Sequence, residues 1–356
     1  MTKITLFGAG KIGEAIVHLL ARTGEYDIQV VDSDANRLAP LMAKNVKCVS
    51  HSITGDADLD PILRGQDVVM SAMPYYLTVM IAKAAARNGA HYLDLTEDVE
   101  STRAVMKLAE GSTRALIPQC GLAPGFISIV ANDLAQRFDK LRDVNMRVGA
   151  LPTYPTNALK YNLTWSTDGL INEYCNPCLA IRDGGPIETL PLEEVESFSL
   201  DGVDYEAFNT SGGLGTLTDS LAGRVENLNY KTVRYPGHRD IIKMLVRDLR
   251  LDRRRDLLKD VLETAIPMTR QDVVLVFVTV TGEREGRLQQ DTYAKKIYAR
   301  EIDGRLFSAI QVTTAAGICA MVDLLVQGKL PQAGFVRQEQ ATLADFLGNR
   351  FGSYYA

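Results

Sequence analysis

The chain has 356 residues, with 39 Lys and Arg against 44 Asp and Glu, a formal charge of −5, and 46% hydrophobic and 23% charged residues. This balance offers no basic surface for nucleic acid or anionic lipid, and the composition is that of a globular protein. At about 100–200 residues per domain, two domains are expected. No apolar run of about 18 residues is evident, so no membrane span is expected. Met1 leads directly into a strand-like segment, so no signal peptide is expected either. Five scattered cysteines (Cys48, Cys120, Cys175, Cys178 and Cys319) suggest free thiols in a reducing cytoplasm. The Cys175–Cys178 pair has CxxC spacing but lacks the two further ligands of a zinc site, so it reads as two thiols at a helix end and no metal is expected.

The first segment, residues 3–8 (KITLFG), reads as a buried parallel strand. It runs into Gly8-Ala9-Gly10-Lys11-Ile12-Gly13, a G-x-G-x-x-G, followed by a helical pattern through Ile16, Val17, Leu19 and Leu20. A second strand, 27–31, ends at Asp32. In such a unit the first glycine permits the tight turn, the second lets backbone approach a pyrophosphate, and the third lets helix and strand pack closely. The helix N-terminus then faces the phosphates with free N–H groups and partial positive charge. Asp32, with Ser33 beside it, stands where an acid holds both ribose hydroxyls and repels a 2′-phosphate, so NAD is expected over NADP. Arg37 lies beyond the turn.

Further strands are expected at 47–50, 67–72, 90–95 and 116–119, with helices at 77–88 and 100–110. The alternation predicts an α/β fold with a parallel, doubly wound, Rossmann-type sheet over residues 1–124. Ligands of such sheets bind beyond the carboxyl ends of the strands. That rule selects the loops at 74–76, 94–98 and 120–125. Ala72, Met73 and Pro74 join the cofactor-binding set.

A helix is expected at 126–138, and then the texture changes. Strands with polar alternation are expected at 144–148, 161–165, 195–199, 204–208, 229–234 and 272–280, giving residues 125–310 a second α/β domain with a mixed or antiparallel sheet. Helices are expected at 166–174, 239–249 and 257–264. The basic run 250–255 (RLDRRR) reads as a solvated helix face. Gly212-Gly213-Leu214-Gly215 lacks the Lys-Ser/Thr of a phosphate loop and reads as a flexible connection or close-packed turn. Residues 313–327 read as a buried helix of small residues, within a C-terminal segment (311–356) expected to return to the first domain.

Four segments together (Gly8–Gly13, Cys120–Gly125 (CGLAPG), Thr164-Trp165-Ser166, and 232–238 (TVRYPGH)) resemble the saccharopine dehydrogenase-like family. The resemblance spans nearly the whole chain. It implies a dinucleotide-binding domain plus an α/β domain over the nicotinamide, and NAD(P)-linked chemistry on carbon–nitrogen bonds of lysine-derived or polyamine-derived compounds. Ala123 stands where saccharopine reductases of the family often carry the acid of G-L-D-P-G. The string 165–174 (WSTDGLINEY) and the acid at the second strand are most similar to the NAD-linked lysine 6-dehydrogenase branch. A carboxynorspermidine-type reductase and a non-catalytic dinucleotide sensor are the alternatives. A homo-oligomer is expected from the resemblance and from the prevalence of symmetric assemblies.

Oxidation of an amine requires a neutral nitrogen, hence a base, and a cation for the substrate carboxylate. Arg234 is the expected anchor, its alternative being a surface ion pair. Asp94 is expected to hold the amine, with Glu97 and Asp98 as alternatives, while Thr96 or Asp98 suits a helix cap. Tyr76 is a catalytic candidate, since either it or Tyr75 could face the nicotinamide ribose. His238 is a candidate proton relay near neutral pH or a structural histidine. Trp165, the only tryptophan, walls a substrate methylene chain or packs in a core. Glu173 meets an ammonium or sits at a surface, and Asp168 suits a helix first turn. Cys120, Pro124 and Gly125 complete the expected substrate contacts.

Overall fold

The computed structural model describes residues 1–55 and 57–356. The chain forms two compact units. One comprises Met1–Phe126 together with Gln311–Ala356, and the other Ile127–Ile310.

The first unit holds β1 (Thr2–Phe7), β2 (Tyr26–Asp32), β3 (Val46–Ser50), β4 (Val68–Ser71), β5 (His91–Asp94) and β6 (Ala115–Ile117). Helices Lys11–Ala21, Tyr75–Arg87 and Val99–Leu108 separate them. With the short strand Gly334–Phe335, they make a seven-stranded sheet in the order Gly334–Phe335, β6, β5, β4, β1, β2, β3. Every pairing is parallel. The sequence order reverses at β1, which lies between β2 and β4, and this is where open parallel sheets bind ligands. The strands read as near-continuous apolar runs because helices cover both faces. Ile81, Ala82, Ala84 and Ala85 of the Tyr75–Arg87 helix are fully buried on one side of it. Their short side chains let the helix lie close to the sheet, beside Phe7, Val69 and Tyr92. Asp98 caps the Val99–Leu108 helix by accepting from Ser101 N–H at 2.8 Å.

The Ala309–Val326 helix has a mean hydropathy of 1.8 over 18 residues, so a span-length apolar stretch does exist, contrary to the sequence expectation. Gln311, Thr313, Thr314 and Asp323 interrupt the run in the sequence and mask it. The helix is 89% buried within the protein, as a core helix is. A Cβ on Gly317 would lie 2.7 Å from the Cys120 carbonyl oxygen, so only glycine admits this approach. At the far end of the helix, buried Asp323 accepts from the Tyr26 phenol, from Asn349 at 2.7 Å and from Arg350 at 2.7 Å. These bonds tie the C-terminal residues to β2.

The second unit is built on β7 (Lys140–Pro152), β8 (Cys178–Arg182), β9 (Gly185–Thr189), β10 (Glu196–Leu200), β11 (Val203–Asn209), β12 (Val225–Arg234), β13 (Asp272–Arg284) and β14 (Arg287–Tyr298). The main path runs β10, β11, β12, β7, β13, β14, with β8 pairing β12 and β9. Only the β12–β7 pair is parallel, so the sheet is mixed. Val144, Met146, Val148, Val276, Val278 and Val280 are buried on one face. The other face carries a polar ladder: Asn227 donates to Asp143 at 2.8 Å and Asn229 to Asn145 at 2.8 Å.

Three expectations fail in this unit. Residues 161–165 are not a strand; their one ladder contact among the described residues is the isolated Leu163–Met268 bridge. Side chains take over the backbone groups there, since Asn157 bonds both the carbonyl (2.7 Å) and the N–H (3.3 Å) of Tyr161. The run 250–255 is not a helix face. Arg250 is left-handed (φ +55), Leu251–Arg253 is a 3-10 turn, and Arg255 opens the Arg255–Ala265 helix by donating to Asn172 and Asn176 at 2.9 and 2.8 Å. The expected helix at 239–249 is α-helical only over His238–Lys243 and continues as a π turn, Met244–Asp248. Gly212–Gly215 is a close-packed turn: a Cβ on Gly213 would sit 2.2 Å from the Tyr230 ring.

Candidate functional site

Gly8 ends β1 at φ +100, where a Cβ would lie 2.8 Å from Ala72 O. A Cβ on Gly13 would lie 1.9 Å from Gly8 O. A Cβ on Gly10 would meet no protein atom within 4 Å. The loop is thus packed on two sides and open beside Gly10, at the N-cap of the Lys11–Ala21 helix. Asp32 is buried at the end of β2. Its Oδ2 accepts the Ala9 N–H at 2.7 Å and its Oδ1 the Asp34 N–H at 2.9 Å. Each carboxylate oxygen keeps a further lone pair for a hydroxyl. Arg37 is exposed and pairs with Asp34 at 3.5 Å. Ala9 is buried, Lys11 and Ser33 are exposed, and Ile12, Ala72, Met73 and Pro74 are half-buried along the three loops that follow β1, β2 and β4. A dinucleotide fits these residues: phosphate against Gly10 and the helix N-terminus, ribose hydroxyls against Asp32.

The loops after β5 and β6 meet around Asp94. Its Oδ1 accepts from Thr96 N–H at 3.0 Å and Gln119 N–H at 2.9 Å. Its Oδ2 is buried without a hydrogen-bond partner. Burial raises the carboxyl to about 6, and the two backbone N–H groups and the Tyr92 phenol hold it from rising further. Cys120 donates its N–H to the Asp94 carbonyl at 2.8 Å. Its buried thiol is pushed well up, mainly by burial. Gln338 donates to Cys120 Sγ at 3.2 Å and to Pro118 O at 2.7 Å. Pro124 is buried, and Gly125 stands at φ +133, where a Cβ would meet Gly121 O at 2.1 Å. Tyr76, in the first turn of the Tyr75–Arg87 helix, is 66% exposed and packs edge-on against Tyr75. Glu97 is half-buried.

In the second unit, a directional chain of hydrogen bonds runs through the residues around β12. Arg234 is buried and donates through Nη1 to Thr232 Oγ1 and Val233 O, both at 2.9 Å. Its Nε donates to the Tyr174 phenol at 3.1 Å. That phenol lies 2.9 Å from His238 Nε2, and His238 Nδ1 lies 3.0 Å from Leu159 O. A carbonyl only accepts, so Nδ1 carries the proton and Nε2 receives the Tyr174 hydroxyl. Burial, with help from Arg234, lowers His238 to about 3. It therefore stays neutral at physiological pH, contrary to the expected neutral-pH relay, and it orients Tyr174. Among the described residues Arg234 forms no ion pair with a carboxylate. Its guanidinium lies 4.9 Å from the Tyr161 ring centre, and the buried Tyr161 hydroxyl, whose pKa burial raises, is held back by Arg234 and by the neighbouring Trp165 and Thr164 side chains. Trp165 is half-buried and packs against the cluster of Tyr161, Leu170 and Tyr174. Ser166 caps the Thr167–Cys175 helix through Gly169 N–H at 3.2 Å. Asp168, in its first turn, pairs with Lys259 at 2.7 Å. Glu173 is buried, and its charge is felt at Tyr161, Tyr174 and Arg234.

Within the first unit, then, Gly8–Gly13, Asp32 and 72–74 gather at one sheet edge, with Asp94 and Cys120 at the ends of β5 and β6. Within the second, Arg234, His238, Trp165 and Glu173 share one neighbourhood. Sequence reasoning missed Tyr161, Tyr174 and Gln338. The two tyrosines bracket the unusual polar run around Trp165, which was the available signal; nothing local marks Gln338. All five cysteines are free, and no metal-binding cluster occurs among the described residues.

Fold and site together define a dinucleotide-binding protein with a Rossmann-type unit and a second mixed-sheet unit. Residues 4–118 match the saccharopine dehydrogenase NADP binding domain and residues 121–349 the saccharopine dehydrogenase C-terminal domain. The chain belongs to the saccharopine dehydrogenase family. It is 25% identical over 260 residues to saccharopine dehydrogenase [NADP(+), L-glutamate-forming] of Saccharomyces cerevisiae, covering 68% of this chain and 57% of that protein. Mitochondrial alpha-aminoadipic semialdehyde synthase of Bos taurus is 21% identical over 319 residues, 83% of this chain and 33% of that protein. The chain thus spans a third to somewhat over half of these relatives' lengths. Among solved structures, apo saccharopine dehydrogenase (L-Glu forming) from Saccharomyces cerevisiae superimposes with a TM-score of 0.78 at 17% identity, covering 100% of this chain and 96% of that one. Homospermidine synthase of Legionella pneumophila, in complex with NAD, gives 0.72 at 14%, covering 99% and 89%. These likenesses show the fold.

Proposed function

We propose that the chain is an NAD-dependent oxidoreductase acting on a CH–NH or CH–NH2 bond of a lysine-derived amino acid, of the lysine 6-dehydrogenase or saccharopine dehydrogenase type. The observation that carries this reading is Arg234. Its buried guanidinium forms no salt bridge to a carboxylate among the described residues, although the Glu173 charge reaches it, and the buried Tyr161 and Thr164 hydroxyls lie in the same neighbourhood. A substrate carboxylate is the group that satisfies all of them. Tyr174, fixed by His238, holds the guanidinium in orientation. Trp165 offers an apolar wall with a donor for a methylene chain.

When bound, the dinucleotide supplies the hydride-accepting ring. The substrate nitrogen must be neutral, so that its lone pair forms the C=N bond as the hydride leaves the carbon. Water then adds to the C=N bond, releasing a carbonyl compound and an amine or ammonia. Asp94 Oδ2, with its carboxyl near 6, takes the proton; at neutral pH most of it is ionised and ready to do so. NAD is favoured because a 2′-phosphate would face the Asp32 carboxylate, although the family description and the yeast relative both name NADP.

The test compares lysine with its decarboxylated analogue, cadaverine, in wild type and Arg234→Met. Wild type should prefer lysine. The substitution should lower kcat/KM for lysine by about 10–100-fold, as loss of a charge-assisted contact does, and leave cadaverine unchanged. Equal wild-type rates on the two amines would remove the carboxylate anchor and favour a polyamine substrate.

A further inference from the structure

The dinucleotide loops follow the carboxyl ends of the first unit's strands. At the amino ends lies a separate cavity of about 370 Å3, lined by residues that include Thr2, Asp67, His91, Arg114, Leu325 and Gln332. Its size is within the range of small-molecule sites, about 300–1,000 Å3. His91 opens β5 and is 8% exposed. The Ala115 N–H donates to its Nδ1 at 3.0 Å. A backbone N–H only donates, so Nδ1 holds a lone pair. Burial, and after it Arg114, lowers the pKa of the ring, so at physiological pH His91 is neutral and its one proton sits on Nε2. Arg114 Nη1 lies 3.4 Å from that Nε2. Arginine has no acceptor, so these two nitrogens are both donors and cannot satisfy each other. The Arg114 Nε–H donates to Gly89 O at 2.8 Å, which fixes the guanidinium beside the imidazole. Arg114 forms no ion pair among the described residues. A buried imidazole N–H and an arginine fork thus converge at a cavity wall, with no acceptor between them among the described residues.

Two such donors call for an oxyanion, and an arginine fork suits a carboxylate. The neighbouring strand start narrows the class. The Asp67 carbonyl accepts the His91 N–H at 2.9 Å, so the two residues stand side by side at the sheet edge. Asp67 Oδ2 accepts the Lys3 N–H at 2.9 Å, and its charge is felt at His91. Asp67 forms no ion pair among the described residues. A dianion such as phosphate would face this carboxylate, whereas a molecule that carries both a carboxylate and an ammonium group complements all three side chains. We propose that this cavity binds a free α-amino acid, its carboxylate on His91 Nε2–H and the Arg114 guanidinium and its ammonium group on Asp67. The site is distinct from the candidate active site. His91 and Asp94 are the first and last residues of the four-residue β5. Three steps of strand rise separate them by about 10 Å, so an amino acid held at His91 leaves the nucleotide loops free.

The experiment titrates the full chain with alanine, and with propionate, ethylamine and inorganic phosphate, by calorimetry. Propionate lacks the ammonium group and ethylamine the carboxylate. Alanine should bind at least about tenfold more tightly than either, as expected when one charge-assisted contact is lost. Arg114 and Asp67 are exposed, and Asp67→Asn keeps an acceptor for the Lys3 N–H. Arg114→Met and Asp67→Asn should each weaken alanine binding about tenfold or more and leave NAD affinity unchanged. In protein labelled with 15N at histidine, alanine should move the His91 ring resonances and leave those of His51 and His238 in place. No heat and no His91 shift up to about 50 mM alanine would overturn the proposal, since even a weak site saturates there. Phosphate or propionate binding as tightly as alanine would leave Asp67 without a role and overturn it too. An alanine heat that survives both substitutions, or that moves His238 instead of His91, would belong to another site and would equally overturn it.

Discussion

At the scale of single residues, buried polar atoms decide the reading. Asp94 is poised by two opposing effects: burial drives its carboxyl up to about 6, and the Thr96 and Gln119 N–H groups restrain it. One oxygen is fixed by these bonds, and the other is buried near the Tyr92 phenol. If that oxygen takes the substrate proton, kcat/KM falls as pH drops below about 6, because the protonated carboxyl no longer accepts. Asp94→Asn should lower kcat/KM by about 100-fold or more and abolish this acid limb. A variant that keeps both the rate and the limb would show that Asp94 only braces the strand ends. His238 illustrates the reverse. A histidine four residues beyond a strand is readily imagined as a proton carrier. Here its Nδ1–H is bound to Leu159 O and its Nε2 to Tyr174, and it titrates at about 3. The chemistry available to it is orientation rather than proton transfer. That distinction rests on Tyr174 and Leu159, which come from distant parts of the chain and cannot be read from the R-Y-P-G-H segment alone.

At the scale of elements, the strand–glycine loop–helix unit was legible because each residue there answers a local demand. Gly8 needs a positive φ, Gly13 needs contact with Gly8 O, and Asp32 ends a strand at a fixed distance. Gly10 is different: its Cβ would touch nothing in the protein, so its need for glycine comes from outside the chain. Gly10→Ala should therefore fold as wild type yet bind NAD at least about tenfold more weakly by calorimetry, while Gly13→Ala should lower the thermal midpoint as well. Unchanged affinity in Gly10→Ala would mean that no pyrophosphate approaches this loop. The second unit was less legible. β14 was missed because its covered-face positions carry Gln289, Asp291 and Lys295, so no apolar alternation marks it. The stretch 161–165 was misread because Tyr161, Leu163 and Trp165 alternate with the polar Asn162 and Thr164 and so imitate a strand. Its backbone groups are instead bonded by the side chain of Asn157, while Asn162 reaches Pro267 O at 3.0 Å. Periodicity records which faces are covered, and it is silent where side chains replace the ladder.

At the scale of the whole molecule, the sequence carries a polar, mildly acidic surface and two cores of different texture. The parallel sheet follows from apolar runs alternating with helices, and the mixed sheet from runs with polar alternation. The family resemblance reached further than periodicity, because short segments such as CGLAPG and TVRYPGH record close approaches and buried contacts that no periodic pattern encodes. The proposed reaction is the oxidation of a carboxylate-bearing amine by a nicotinamide dinucleotide. The most direct measurement is the initial rate of absorbance change at about 340 nm, the reduced-dinucleotide band, with lysine, saccharopine, ornithine and polyamines, each with NAD and NADP. The expected result is a rise with lysine or saccharopine that is faster with NAD than with NADP. No rise with any amino acid and either dinucleotide would contradict it.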